Sequence, residues 1–84
     1  MIRKSIKVQI SNGLEARPVA VLVQVASQYE SAVYVELAKK RVNAKSIMGM
    51  MTLGLNEGDN VIISAEGTDE EAAMQGIEKY LSGN

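Results

Sequence analysis

The amino-acid sequence predicts an α+β fold, an open-faced sandwich in which a four-stranded antiparallel sheet carries three helices on one face. Three observations lead there. Short stretches around Ile6, Val35 and Ile63 alternate apolar and polar residues with period two, as strands with one buried and one wet face do. Two longer stretches, 19–26 and 73–81, place apolar residues at helical spacing. The elements follow in the order β-α-β-β-α-β-α, and alternating strands need cover on one face only, which the helices supply. The 84 residues make one small domain, 1–84, able to bury roughly 60–65% of the surface that its unfolded chain exposes.

Strand one is expected within 2–10, where Ile6, Val8 and Ile10 alternate with Lys7 and Gln9. Ser11, Asn12 and Gly13 break it, and 14–18 leads into a helix running to about Tyr29; Pro18 suits the first turn, where a missing N–H costs nothing. Val19, Leu22, Val23 and Ala26 fall at i, i+3, i+4 and i+7, a core stripe widened by Val21 and Val25. So much β-branching is weak helix propensity, so packing must hold this helix. Val33, Val35 and Leu37 alternate with Tyr34 and Glu36 in strand two, Lys39, Lys40 and Arg41 turn the chain, and 41–43 returns as strand three of a hairpin. A short helix opens at Ser46 and is limited by Gly49 and Gly54. After the polar loop 56–60, Val61, Ile63 and Ala65 mark strand four. Thr68, with Glu71 three residues on, reads as a capping box ahead of Ala73, Met74, Ile77 and Leu81, the stripe of the last helix.

Composition removes several function classes. There is no cysteine and no histidine, so disulfides, thiolate metal sites and the commonest general base are missing, and neither a metal nor a cofactor is expected. Nine basic against ten acidic residues leave a net charge of −1, which offers no global field for nucleic acid. The basic cluster at 39–41 reads as a solvated turn. Aromatic residues are 4%, all tyrosine, whereas a ferredoxin-like sheet that reads single-stranded RNA needs exposed strand aromatics, for which Tyr34 is the one candidate. No stretch approaches the ~20 apolar residues of a membrane span, and the first residues lack a signal-peptide run, so a cytoplasmic location is expected.

The stretch that organises the chain is 43–55, where Ser46 follows Lys45 and opens the run Ile47-Met48-Gly49-Met50-Met51. Ser46 reads as an N-cap, its oxygen accepting an N–H that the first helical turn leaves open, and a phosphate there would meet the positive end of the helix dipole. Three methionines in four positions give a soft, adaptable apolar surface of the kind found where a protein meets a partner. From these residues alone two readings stay open: a plain cap above core methionines, or a modifiable serine beside a docking surface.

Gly13-Leu14-Glu15-Ala16-Arg17-Pro18, followed about thirty residues later by Val42-Asn43-Ala44-Lys45-Ser46-Ile47-Met48-Gly49, resembles the signature of the HPr phosphocarrier family of the sugar phosphotransferase system, and the resemblance spans the whole chain. It implies the fold argued above, with the end of the Glu15 loop and the Ser46 helix close together on one surface. In HPr proteins the position of Glu15 is a histidine that accepts phosphate from enzyme I and passes it to the sugar transporters. A carboxylate there would give an acyl phosphate instead, and no neighbouring histidine can substitute, so the uptake relay is expected to be closed to this chain. In Gram-positive members the position of Ser46 is phosphorylated by HPr kinase/phosphorylase, and the product is a corepressor for catabolite control protein A. The resemblance is nearest to the Crh branch, which lacks the histidine, keeps only this regulatory role, and usually has glutamine where Glu15 stands.

The resemblance thus implies Ser46 as a phosphorylation site, Glu15 and Arg17 as a degenerate phosphocarrier site, and a partner surface of Arg17, Ala20, Val23, Ser46, Ile47, Met48 and Met51. A short helix after an exposed cap cannot bury every face, which also favours Ile47, Met48 and Met51 as surface and leaves Met50, Leu53 and Leu55 to the core. An exposed Glu15–Arg17 pair would contribute about 0–1 kcal/mol. Two other functions stand beside this one: a phosphocarrier using Glu15, and an unmodified interaction module. None of the three is a metal enzyme, the leading reading is not an enzyme at all, and no direct contact with nucleic acid or membrane is expected. A 2–10 strand leading into a Gly-containing turn can exchange between protomers, so a homodimer is one option.

Overall fold

The computed structural model describes residues 1–9 and 17–83. The elements run β1 (Ile2–Lys7), α1 (Arg17–Ser27), β2 (Ala32–Leu37), β3 (Lys40–Asn43), α2 (Ile47–Leu53), β4 (Asn60–Glu66) and α3 (Glu70–Leu81), in the order expected. The four strands form one antiparallel sheet, ordered β1-β4-β2-β3. Side-chain pattern accounts for that order. β4 and β2 carry the best apolar faces, Val61, Ile63 and Ala65 on one and Val33 and Val35 on the other, all fully buried, and they take the centre. The more charged β1 and β3 take the edges, where a row of Lys and Arg discourages further strand pairing.

Val35 lies opposite both Ile63 and Val42, and Val33 opposite Ala65, so one sheet face is continuously aliphatic. Onto it α1 lays Val19, Leu22 and Ala26, α2 lays Met50 and Leu53, and α3 lays Ala73, Met74, Ile77 and Leu81. Tyr29 and Tyr80 pack at the margin of this core. On the open face the Arg41 guanidinium lies 4.1 Å from the centre of the Tyr34 ring, and Arg3 approaches Glu36 at 3.5 Å.

Three expectations change. β1 starts at Ile2 and stops at Lys7, although the apolar alternation continues to the buried Val8. Val8 still bonds to the segment that leads into β4, its N–H donating to the Asp59 carbonyl at 2.8 Å and its carbonyl accepting the Gly58 N–H at 2.7 Å. Only at Gln9 does the main chain change partners, its N–H donating to the Leu81 carbonyl at 2.7 Å. Ile10 and the break and loop expected over 11–16 lie outside the described residues. The hairpin turn is Ala38-Lys39, with Lys40 and Arg41 already paired in β3 opposite Leu37 and Glu36. Both turn residues have positive φ, 52° and 70°, the pair of left-handed residues that matches strand twist in a two-residue loop.

The third change concerns α3. The Thr68–Glu71 box does not form; the N-cap is Asp69, which makes no side-chain cap bond. Its carboxylate instead accepts the N–H groups of Glu30 and Ser31, each at 2.9 Å, and the Ser31 hydroxyl, stapling the α1–β2 connection to the start of α3. Glu70, one residue ahead of the expected position, accepts the Gly67 N–H at 3.1 Å and meets the Met1 amine at 3.2 Å. These partners hold both carboxyls below their usual range, the Ser31 hydroxyl foremost for Asp69 and the Gly67 N–H foremost for Glu70. A folded-state pKa below the unfolded one contributes stability that is complete above the ordinary carboxylate range and is lost as pH falls through and below it. The melting temperature should therefore drop between about pH 5 and pH 2, and drop less in Asp69→Asn. Identical acid limbs for the two proteins would remove Asp69 from the account.

Candidate functional site

The site grows out of the exit from β3. The Asn43 Oδ1 accepts the Lys45 N–H at 2.8 Å and the Asn43 carbonyl accepts the Ser46 N–H at 3.0 Å, a local turn that redirects the chain into α2. Ser46 keeps an extended backbone, φ −104° and ψ 110°, and its Oγ accepts the Gly49 N–H at 3.2 Å, so the N-cap read from the sequence is present. At the other end Gly54 adopts the left-handed conformation, φ 68°, that closes a helix. Lys45 points away from this cap. Its Nζ donates to the Tyr29 carbonyl at 2.6 Å, placing a cation just past the C-terminal end of α1 and tying the Ser46 turn to that helix.

Five of the seven residues of α2 carry apolar side chains, spread around the helix, and only one side can face the core. Met50 is fully buried and Leu53 nearly so, whereas Ile47, Met48 and Met51 are 41%, 78% and 56% exposed, next to the exposed Ser46. Ile47 and Met51 stand four apart and Met48 and Met51 three apart, which puts them on one solvent-facing side. The division of α2 into surface and core residues is the one expected, and Leu55 is half-buried at the margin.

Helix α1 packs against α2. From α1, Ala20 is partly exposed and Val23 packs partly on the core. Arg17 is the first residue of α1. Its side chain lies outside the described residues, as do Glu15 and the expected Glu15–Arg17 pair. Among the described residues no group of acidic side chains could hold a metal ion, and no helix is long and apolar enough to cross a membrane. The residue that sequence reasoning missed is Lys45. Its partner lies 16 residues away, and no local pattern points to a main-chain carbonyl at that distance.

The chain and its fold have counterparts among known proteins. Residues 2–82 match the family described as PTS HPr component, phosphorylation site. The chain belongs to the HPr family. HPr-like protein Crh from Halalkalibacterium halodurans is 40% identical to it over 81 residues, covering 96% of each chain. The crystal structure of phosphocarrier protein HPr from Bacillus anthracis superposes with a TM-score of 0.90 at 40% identity, covering 95% of each chain. Crh from Bacillus subtilis, an intertwined dimer with a swapped domain, gives 0.74 at 41% identity, covering 96% of this chain and 93% of that one. Proteins of this family are phosphocarriers and regulators rather than enzymes, and the similarity to Crh sets this chain among the regulatory HPr-like proteins.

Proposed function

We propose that the chain is a phosphorylation-gated corepressor of carbon catabolite repression, acting in the cytoplasm. HPr kinase/phosphorylase phosphorylates the Ser46 hydroxyl, and the product binds catabolite control protein A through Ser46, Ile47, Met48 and Met51 of the α2 segment with Arg17, Ala20 and Val23 of α1. The observation that carries this reading is the exposed Ser46 cap standing next to the exposed Ile47, Met48 and Met51. Phosphorylation adds roughly −1.5 to −2 charge at a helix start, where the dipole favours it, and supplies oxygens for basic groups on the repressor. The switch then needs no refolding: the apolar face is already presented, and the phosphate adds the charged half of the contact. With Glu15 in place of the phosphocarrier histidine, the sugar-uptake relay is no part of this function.

A homodimer belongs to the same reading, supported by the swapped dimer of the Bacillus subtilis relative. The test of the switch is intact-mass spectrometry after incubation with a Gram-positive HPr kinase/phosphorylase, ATP and Mg²⁺, with Ser46→Ala alongside. One phosphate on the parent, none on the variant, and repressor binding by the phosphorylated form alone is the expected outcome. Repressor binding by the unphosphorylated and Ser46→Ala proteins as tight as that of the phosphorylated form would sink it.

A further inference from the structure

We propose that Met48 and Met51 are an oxidant-sensitive modification site that converts the α2 surface from apolar to polar. The chemistry stands on exposure alone; its consequence for repressor binding rests on the function proposed above. The chain has no cysteine, so its thioethers are its sulfur, and the fold sorts them sharply. Met48 and Met51 project into solvent, as does Met1, whereas Met50 in the same helix and Met74 in α3 are buried. A peroxide oxidises an accessible thioether by two electrons: the sulfur lone pair attacks one peroxide oxygen, the O–O bond breaks, an S–O bond forms, and hydrogen peroxide leaves as water. Susceptibility follows exposure, so Met48 and Met51 react while Met50, one turn position away, stays shielded.

The product sulfoxide carries a strong acceptor oxygen on a side chain that was apolar. In water that oxygen is satisfied. Under an apolar partner surface it loses its water and gains no donor, which disfavours docking. Neither side chain belongs to the core, so the fold does not register the change. The consequence is a reversible loss of adhesive surface without unfolding, reversed by methionine sulfoxide reductases acting with a thiol reductant, one enzyme per sulfoxide epimer.

The experiment treats the full chain, with and without phosphate on Ser46, with hydrogen peroxide and maps oxygen incorporation by peptide mass spectrometry. Expected are oxidation of Met48 and Met51 ahead of Met50 and Met74, an unchanged melting curve, and earlier elution from a phenyl resin, which reads the apolar surface without any partner. Repressor binding by the phosphorylated form should weaken at least about tenfold and return after reductase treatment. Met48→Leu with Met51→Leu should lose far less phenyl retention through peroxide than the parent, the remaining loss coming from the exposed Met1. Oxidation of Met50 or Met74 as fast as Met48, an oxidised protein with unaltered phenyl retention, or a double leucine variant that loses as much phenyl retention through peroxide as the parent would each overturn the proposal. If the untreated phosphorylated protein fails to bind the repressor, the docking function falls, and the mapping and phenyl retention still decide the methionine site.

Discussion

Replacing Met50 with alanine is expected to lower the unfolding free energy by about 2–5 kcal/mol, whereas Met48→Gln with Met51→Gln should leave it within about 0.5 kcal/mol. Met50 is fully enclosed by the core that the sheet and all three helices share. Truncating it removes apolar contact and leaves a void that close-packed neighbours fill only in part. The loss is large for its setting. Helix α2 has seven residues, too few to persist by backbone bonding alone, and within it Met50 and Leu53 are the buried anchors. A small domain has about 5–15 kcal/mol in total, so a single truncation removes a sizeable share. The glutamine pair keeps side-chain length and helix propensity while making the exposed face polar, and it should weaken binding of the Ser46-phosphorylated protein to the repressor at least about tenfold. Urea unfolding followed by circular dichroism, with repressor binding measured on each protein, separates the two roles. Equal destabilisation by all of these substitutions would erase the division of α2 into core and docking sides.

Much of this was legible in the sequence because the relevant signals are local. The α1 stripe of Val19, Leu22 and Ala26, the alternation of Val61, Ile63 and Ala65, and the Ser46 cap all depend on residues within a turn or two of one another. The structure departs where a distant partner outbids a local one. Thr68 and Glu71 satisfy the spacing of a capping box, yet Asp69 finds three donors on Glu30 and Ser31, nearly forty residues away, and the start of α3 is arranged around them. The hairpin register is similar. Nothing in Ala38 asks for a left-handed backbone, but pairing Val35 with Val42 on the core face sets the turn one residue earlier than the charge cluster suggested. β1 misled in the opposite way, because burial of Val8 extends the apolar pattern one residue past the last paired residue of the strand, Lys7. The roles proposed for Ser46 as acceptor of phosphate and for α1 as part of a docking face come from family resemblance. Local pattern alone favours a plain cap above core methionines.

Gly67→Ala should destabilise the protein by about 2–4 kcal/mol, well beyond Gly76→Ala, although both glycines sit against a neighbouring segment. At Gly67 an added Cβ would stand 2.6 Å from the Ser31 Oγ and 2.7 Å from the Ser31 Cα, and its φ of 156° is one that residues with a Cβ rarely adopt. Ser31 cannot retreat. Its N–H and hydroxyl are both held by Asp69, and it is itself buried, so relief requires breaking the staple or shifting main chain. At Gly76 the added Cβ would meet the hydroxyl end of Tyr29, a side chain at the core margin that can swing, and alanine there gains about 1 kcal/mol of helix propensity in α3. Urea unfolding of the two variants tests the contrast, and equal losses would contradict it. The effect also reaches the functional site. Ser31 lies two residues past Tyr29, whose carbonyl holds Lys45, so a Ser31 segment displaced by Gly67→Ala relaxes the tie that fixes the Ser46 turn against α1. Among surviving folded molecules, phosphorylation of Ser46 should then slow in Gly67→Ala and keep its rate in Gly76→Ala, where the Asp69 staple is intact.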